Sequence, residues 1–331
     1  FTYYSFLFNN LSIHIGGYKM DSLIIDAHCD TITKIMHQNK SLYKNKYQVD
    51  LERLQSFINP IQFFAIWTHP RFYQNPIIET LKGIDYFYKE IKENKDIVGL
   101  ATSLGEIEKN ISGKRISAIL SIEGGEALEG QIEILRIFYR LGVRSMTLTW
   151  NYKNNIAYGA MEKNKEGLTD FGIEVIKEMN KLGMIIDVSH LSESGFWEVK
   201  NISQTPFIAS HSNVRELCNH PRNLSNEQLK AIADVGGVIG INTYPPFLNM
   251  SGKAKIDDFF LHIDYIIKLI GIDYVGLGCD FDGIDIFTEG IEDVSKICKV
   301  CRYLRKKYGD KGAEKILGKN FLRVIKEVWD E

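Results

Sequence analysis

Residues 117–149, which read SAILSIEGGEALEGQIEILRIFYRLGVRSMTLT, contain two short apolar runs on either side of an amphipathic stretch. The runs Ser117–Ile122 and Ser145–Thr149 are almost continuously apolar, as is typical of parallel strands buried on both faces. Between them, Ala127–Leu141 repeats leucine and isoleucine at intervals of three and four residues and stops at Gly142, which predicts a helix. Such strand–helix–strand units build parallel sheets with right-handed crossovers.

The same alternation extends along the rest of the chain. Eight apolar runs are predicted strands: Leu23–Ala27, Gln62–Trp67, Ser117–Ile122, Ser145–Thr149, Met184–Val188, Phe207–Ser210, Gly237–Asn242 and Tyr274–Gly278. Helical patterns fill further intervals: Tyr47–Asn59, Ile77–Asn110, Thr169–Leu182, a helix that starts at Leu224, and Asp257–Ile270. Eight repeats favour an α/β fold, a TIM-like (β/α)8 barrel, which typically takes about 250 residues plus insertions. The alternative, a doubly wound open sheet, usually carries a glycine-rich phosphate loop after its first strand, which Asp26–Asp30 is not.

The composition excludes several classes of protein. Among 331 residues, 40 Lys and Arg balance 42 Asp and Glu, which argues against a nucleic-acid partner. Hydrophobic residues at 44% and charged residues at 25% are ordinary for a packed chain. No run of eighteen apolar residues occurs, so we expect no membrane span. Five cysteines are few and odd in number, which indicates a reducing compartment, and we expect a cytoplasmic protein.

Residues 1–19 differ from the rest, because they show neither a usable periodicity nor the ordered parts of a secretory signal. One hypothesis is that Met20 is the native start and that the leader is translated non-coding sequence. Gly16–Lys19 can be encoded by a purine-rich stretch that resembles a ribosome-binding site. The alternative is a disordered or strand-like extension. Because no linker-like composition follows, residues 20–331 are predicted to form a single barrel domain.

Histidines and carboxylates collect where the predicted strands end. They are His28, Asp30, Glu123, His190, His211 and Asp280. The carboxyl ends of barrel strands meet on one face, which carries the chemistry. Burying several charges there without a cation would be costly, and imidazole combined with carboxylate favours zinc or a similar first-row metal. The sequence therefore predicts a metal site at the C-terminal face of the strands.

The motifs around these residues occur in the order seen in the membrane (renal) dipeptidase family of zinc dipeptidases, and the chain resembles a bacterial-type member. The motifs are His28-Cys29-Asp30, Glu123-Gly124-Gly125, Asp187-Val188-Ser189-His190, Ser210-His211-Ser212 and Asp280-Phe281-Asp282-Gly283. Pro221-Arg222-Asn223-Leu224 resembles the family's Arg-Asn element, and Gly318–Arg323 resembles its C-terminal signature. The resemblance extends from about Leu23 to Val324.

The resemblance implies a barrel with a binuclear centre of two Zn²⁺ per chain, or of another first-row divalent metal. His28 and Asp30 would bind one ion, His190 and His211 the other, and Glu123 would bridge both together with a water or hydroxide. The implied activity is hydrolysis of the peptide bond of dipeptides by that hydroxide. Asp280 would act as general base and then acid, and Arg222 would hold the substrate's terminal carboxylate. Family analogy also suggests a homodimer.

The chain departs from the family at Trp150, where many members carry a histidine that contacts the substrate. An indole can donate a hydrogen bond but cannot transfer a proton, so Trp150 either contacts the substrate or simply walls the pocket. Tyr152, Asn155 and Tyr244 are further substrate-binding candidates. Two other functions stay open: a metal-dependent amidohydrolase that acts on another small carboxylate-bearing amide or lactone, and a metal-free barrel with a binding or structural role.

Overall fold

The computed structural model describes residues 14–15, 18–19, 23–163 and 166–329. Nine strands form one parallel sheet: β1 Ile24–Cys29, β2 Pro60–Trp67, β3 Val98–Leu100, β4 Ile116–Glu123, β5 Val143–Thr147, β6 Ile185–Asp187, β7 Ile208–Ala209, β8 Val238–Ile241 and β9 Val275–Leu277. Their order is β2-β1-β9-β8-β7-β6-β5-β4-β3, and β4 also pairs with β2. That last pairing closes eight strands into a TIM-like (β/α)8 barrel, which confirms the predicted fold class.

The helices lie between the strands in chain order. They are α1 Thr31–Met36, α2 Leu51–Leu54, α3 Pro76–Glu93, α4 Leu104–Ser112, α5 Ile132–Arg140, α6 Asp170–Leu182, α7 Glu193–Ile202, α8 Asn226–Asp234, α9 Pro245–Leu248, α10 Ile256–Ile270, α11 Ile297–Glu314 and α12 Asn320–Trp329. Side-chain caps start several of them. In α8, for example, the Ser225 hydroxyl accepts a hydrogen bond from the amide of Gln228, and the Gln228 side chain accepts one from the Ser225 amide.

The ninth strand, β3, corrects the prediction that Ile77–Asn110 is all helical. Val98 and Leu100 pair with Ile116 and Ala118 at the start of β4, whereas β5 pairs with β4 only from Leu120 onward. The strand therefore occupies the place beside β4 that β5 leaves free. The Asn110 side chain holds it by donating to the carbonyls of Gly99 and Leu100.

Two other helix predictions were too long. Of Tyr47–Asn59 only Leu51–Leu54 is α-helical, because the amides of Gln48 and Val49 donate to the Asp282 carboxylate after β9 instead of entering a helix. Of Ala127–Leu141, the first residues belong to a 3₁₀ turn over Gly125–Leu128, and α5 begins at Ile132.

The C-terminal helix α12 closes the barrel at the end where the strands begin. Its Phe321 packs with inward-facing residues of the strands, among them Ile25, Phe63, Ile119, Ile185, Ile208 and Val238. Arg323 donates to the carbonyls of Gly236 and Asp273, just before β8 and β9. The opposite end, where the strands finish, stays available for a site.

Most of residues 1–19, the predicted leader, lie outside the described residues. Within that stretch, His14–Ile15 and Tyr18–Lys19 pair as two short antiparallel strands. The assignment of residues 20–331 to a single domain stays a prediction. Within the described part of the chain, no helix is both long and apolar enough to cross a membrane.

Candidate metal centre and active site

Three histidines, one in β1 and two in the segments that follow β6 and β7, converge on Glu123, the last residue of β4. The Nε2 atom of His190 lies 2.9 Å from Glu123 Oε1, and that of His211 lies 3.4 Å from the same oxygen. The Nε2 atom of His28 lies 3.7 Å from the other oxygen, Oε2, and 3.3 Å from Asp30 Oδ2. All five side chains are buried. Glu123 thus offers one carboxylate oxygen to each of two ligand sets.

The backbone at this end of the barrel adopts conformations that are uncommon for L-residues. His190 has φ of 68° and Asp280 has φ of 59°, both in the left-handed region. Gly124, directly after Glu123, has φ of 86°, and a Cβ there would lie 2.2 Å from Glu126 Oε2. Such conformations persist where the surrounding structure holds them, and they concentrate at functional sites. Here the backbone takes this conformation at His190, at Asp280 and directly after Glu123.

The carboxylates are crowded without a matching number of cations. Burial, together with the charge of Glu123, raises the pKa of Asp30 to about 6. Burial, with the charges of Asp30 and Glu123, raises the pKa of Asp280 to about 7. Burial and the charge of Arg222 lower the pKa of His190 to about 4, so its imidazole is neutral and can donate a lone pair.

The donor atoms fit a divalent first-row metal. His28 Nε2 and Asp30 Oδ1 are buried yet make no hydrogen bond to any described residue, which is unusual for buried polar atoms. The atoms of two overlapping groups lie close enough to share an ion, one formed by His28, Glu123 and His211 and the other by His28, Asp30 and Asp280. Imidazole nitrogens combined with carboxylate oxygens are typical zinc ligands.

The outer nitrogens of two histidines are held by polar side chains that sequence reasoning did not single out. His190 Nδ1 lies 2.9 Å from Asn151 Oδ1, and His211 Nδ1 lies 2.7 Å from Ser210 Oγ. Similarly, Asn242 Nδ2 donates to Asp280 Oδ2 over 2.8 Å. The only signal for these residues was their position near the ends of predicted strands: Ser210 directly precedes His211, Asn242 ends the strand Gly237–Asn242, and Asn151 follows the strand Ser145–Thr149 by two residues.

A cavity of about 690 Å³ opens above the centre. Its lining includes Asp30, Glu123, His190 and Asp280 together with the aromatic residues Trp67, Trp150, Tyr244 and Phe247. The indoles of Trp67 and Trp150 pack with their ring centroids 5.1 Å apart, so Trp150 forms a wall of the cavity. Trp67 and Phe247 are pocket residues that the sequence did not indicate, because an aromatic residue after a strand is equally typical of the core.

The other three predicted pocket residues, Arg222, Tyr152 and Asn155, do not belong to the cavity lining. Arg222 is 3% exposed, donates from Nη2 to the His211 carbonyl over 3.3 Å, and makes no hydrogen bond to a described residue through Nε. Tyr152 is 53% exposed, with its ring 6.2 Å from that of Trp150, and does not belong to the cavity lining. Asn155 is an exposed residue near Gly130 and does not belong to the lining either.

Comparison with known proteins gives consistent matches over most of the chain. Residues 19–330 match the family model described as membrane dipeptidase (peptidase family M19). The chain is 36% identical over 266 residues to an uncharacterised protein in the pqqA 5′ region of Klebsiella pneumoniae, a match that covers 75% of this chain and 98% of that protein. It is 31% identical over 333 residues to dipeptidase aclJ of Aspergillus oryzae, covering 92% of this chain and 78% of that protein.

Among solved structures, the chain is similar to a metallopeptidase from Rhodobacter sphaeroides whose structure contains a phosphinate mimic of the dipeptide L-Ala-D-Ala. The TM-score is 0.85 at 24% identity, and the match covers 93% of this chain and all of that one. At this identity the likeness concerns the fold, and it agrees with the closed barrel described above.

Proposed function

The chain belongs to the membrane dipeptidase family, peptidase family M19, whose members are metallopeptidases, and we propose that it hydrolyses the peptide bond of dipeptides with two zinc ions per chain. The observation that carries this proposal is Glu123, which faces His28 with one oxygen and His190 and His211 with the other. That arrangement suits a carboxylate shared between two cations.

In this proposal His28 and Asp30 hold one ion, His190 and His211 hold the other, and Glu123 contacts both. When bound, the ions would lower the pKa of a water molecule and polarise the scissile carbonyl. The protein's own contribution is to keep these ligands buried and pre-oriented. Neutral imidazoles at His190 and His211 support it, because burial lowers the pKa of both side chains and a protonated imidazole cannot coordinate a metal.

Asp280 is proposed to accept a proton from the attacking water and return it to the leaving amine. Its Oδ1 lies 3.9 Å from His28 Nε2, while Oδ2 is held by Asn242, so one oxygen stays available at the cavity floor. Its pKa, raised to about 7 by burial and by the charges of Asp30 and Glu123, lies where a group can both accept and donate a proton near neutrality.

Arg222 is proposed to bind the substrate's terminal carboxylate. Its guanidinium is buried beside Phe247, a residue of the cavity lining, with 5.4 Å between Cζ and the ring centroid, and its Nε lacks a partner among the described residues. A planar guanidinium binds a carboxylate through two parallel hydrogen bonds. An anchor at a fixed distance from the metal centre would favour dipeptides over longer peptides, because only a dipeptide places both its terminal carboxylate and its peptide bond correctly.

The deciding experiment compares free dipeptides with the same dipeptides amidated at the C-terminus, using zinc-loaded protein. In Arg222→Ala, KM for free dipeptides should rise about 100-fold, because a charge-assisted bidentate contact contributes about 2–3 kcal/mol. KM for amidated dipeptides should change little. Arg222→Lys keeps the charge and serves as a second variant in case the truncated side chain disturbs folding.

Equal changes for both substrates would remove Arg222 from carboxylate binding. Absence of dipeptide hydrolysis, together with turnover of N-acyl amino acids or lactones, would favour the alternative amidohydrolase activity on another carboxylate-bearing amide or lactone. That alternative is kept because the same centre can polarise either kind of carbonyl, and fold alone does not determine the substrate.

The cellular setting is proposed from the thiols. All five cysteines are free, and four of them are buried, which supports a reducing cytoplasmic location. The homodimer suggested by the family resemblance stays a proposal, which sedimentation of the purified protein would test.

A further inference from the structure

A buried carboxylate that is not among the proposed ligands is linked to His211 through the hydroxyl of Ser210. Asp187 is the last residue of β6 and is 1% exposed. Its Oδ1 accepts hydrogen bonds from the amides of Ser189, at 3.0 Å, and Ser210, at 2.8 Å. Its Oδ2 accepts from the hydroxyls of Thr147 and Ser210, both at 2.5 Å. Four donors therefore fill the acceptor sites of this carboxylate.

The hydrogen bond from Ser210 to Asp187 determines whether Ser210 donates to His211 or accepts from it. A serine hydroxyl has one proton, and Ser210 donates it to Asp187. Ser210 Oγ must then accept in its contact with His211 Nδ1, 2.7 Å away. His211 consequently carries its proton on Nδ1 and a lone pair on Nε2, which lies 2.9 Å from His190 Nε2 and 3.4 Å from Glu123 Oε1.

We infer that Asp187 is a positioning residue which, through Ser210, fixes His211 in the tautomer that can bind a metal through Nε2. This inference rests on the proposed function, because it assigns Asp187 a role only if His211 is a ligand. A histidine ligand commonly donates its second ring N–H to a neighbouring acceptor, and that acceptor sets the tautomer and ring orientation. Here the acceptor is a hydroxyl whose own direction is set by a carboxylate.

The other histidine of the same ligand set is held differently. His190 Nδ1 faces Asn151 Oδ1 at 2.9 Å, and an amide can present either its oxygen or its nitrogen. A carboxylate cannot donate, so the direction of the Asp187–Ser210–His211 chain cannot reverse. The two histidines therefore differ in how firmly their protonation pattern is set.

The test is Asp187→Asn, which keeps the shape of the side chain but replaces one acceptor oxygen with a donor. The asparagine oxygen can still accept from the two amides, while its nitrogen faces the two hydroxyls. Ser210 would then accept from residue 187 and donate to His211 Nδ1, which moves the histidine proton to Nε2. We expect ¹⁵N NMR of metal-free, histidine-labelled protein to show Nδ1–H in the wild type and Nε2–H in the variant.

Zinc affinity provides the second measurement, by competition with a chromophoric chelator. Changes to partners of this kind typically weaken metal binding about 10- to 100-fold, and we expect that loss for one of the two ions in Asp187→Asn. Thr147→Val is the matched control, because it removes the other hydroxyl on Oδ2 and leaves the link through Ser210 intact. Its tautomer and zinc affinity should equal those of the wild type.

Ser210→Ala is a second variant that keeps Asp187 and removes only the link. His211 should then show a mixture of tautomers and a similar loss of affinity. An Nδ1–H tautomer and wild-type zinc affinity in both variants would overturn the inference. A wild-type protein that binds no zinc would overturn the proposed function instead, whereas the tautomer of the metal-free protein would still test whether Asp187, through Ser210, sets the protonation pattern of His211.

Discussion

Asp280 has an uncommon backbone conformation and a carboxylate that is held at one of its oxygens. Its backbone is left-handed, with φ of 59°, and its carboxylate is pinned at one oxygen by Asn242 while the other faces His28. Both features hold the side chain at the floor of the cavity, where a proton donor or acceptor would be needed. If Asp280 acts as proposed, it does so by changing its protonation state, and an isosteric substitution separates that ability from the shape of the side chain.

Asp280→Asn should therefore keep the fold and the metals and lose turnover. Asparagine can still accept the hydrogen bond from Asn242, but it cannot take up a proton. We expect kcat to fall about 10²- to 10⁴-fold, the usual contribution of a general base. The measurement pairs steady-state kinetics with metal analysis of the same sample.

Asp285→Asn is the control, since Asp285 also lines the cavity but is exposed. Its kcat should stay close to that of the wild type. Loss of a zinc ion from Asp280→Asn would show instead that Asp280 is a ligand, as its closeness to His28 and Asp30 permits.

At the same scale, the sequence indicated some site residues and not others. His28, Asp30, Glu123, His190, His211 and Asp280 could be predicted to meet because the ends of parallel strands converge wherever a barrel closes. Asn151, Ser210 and Asn242 could not, because asparagine and serine after strands are equally typical of turns. Only side-chain directions in three dimensions distinguish a turn residue from one that holds a ligand.

Among the elements, α12 has the clearest structural task, since it fills the end of the barrel opposite the cavity. Phe321 is 1% exposed, and its ring lies 2.4 Å from where a Cβ on Gly276 would be, so the ring fits only because β9 has a glycine there. The side chain of Phe321 in α12 and the glycine in β9 therefore fit one another in shape.

Phe321→Ala should leave a cavity between α12 and the strands. Truncation of a buried phenylalanine costs about 3–5 kcal/mol in the free energy of unfolding, which urea titration would measure. Because the helix lies away from the cavity, kcat of the remaining folded protein should be unchanged. Phe287→Ala, at a side chain that is 50% exposed, is the control and should change stability by no more than about 0.5 kcal/mol. A comparable loss in both variants would contradict the role of α12.

The elements also show where sequence patterns fail to predict secondary structure. Strands that are long or bounded by glycine were predicted within a few residues, whereas β3 was taken for helix. Three residues, Val98–Leu100, are too few to display an alternation, and they lie between two genuine helices. What makes them a strand is the free edge of β4 that remains where β5 starts late, a property of the assembled sheet.

For the whole molecule, acid stability should depend on a histidine that is not a candidate metal ligand. His262 is fully buried, accepts from the Val214 amide and donates to the Leu248 carbonyl, so it is neutral in the fold. Burial lowers its pKa from 6.5 to about 4. The unfolded chain therefore binds a proton at this residue that the folded protein does not. The stabilisation is complete above pH 6.5 and is lost as the pH falls towards 4.

His262→Gln should make the protein less sensitive to acid. A shift of this size corresponds to about 3 kcal/mol, and the difference in unfolding free energy between pH 7 and pH 4 should shrink by up to that amount. Urea titrations at the two pH values would measure it. His37→Gln is the control, because His37 is an exposed residue whose pKa is lowered less. An unchanged pH dependence in His262→Gln would show that other groups govern acid unfolding.

The filled lower end of the barrel also has a kinetic consequence. Among the described residues, α12 and its apolar partners fill that end, and the cavity beside the candidate metal ligands lies at the other end, where the strands finish. If the chain cleaves dipeptides as proposed, both product amino acids leave through the same opening of the cavity through which the next substrate enters. The fragment held by Arg222 would depart last, so free amino acids should act as competitive product inhibitors and slow the enzyme in a cell rich in them.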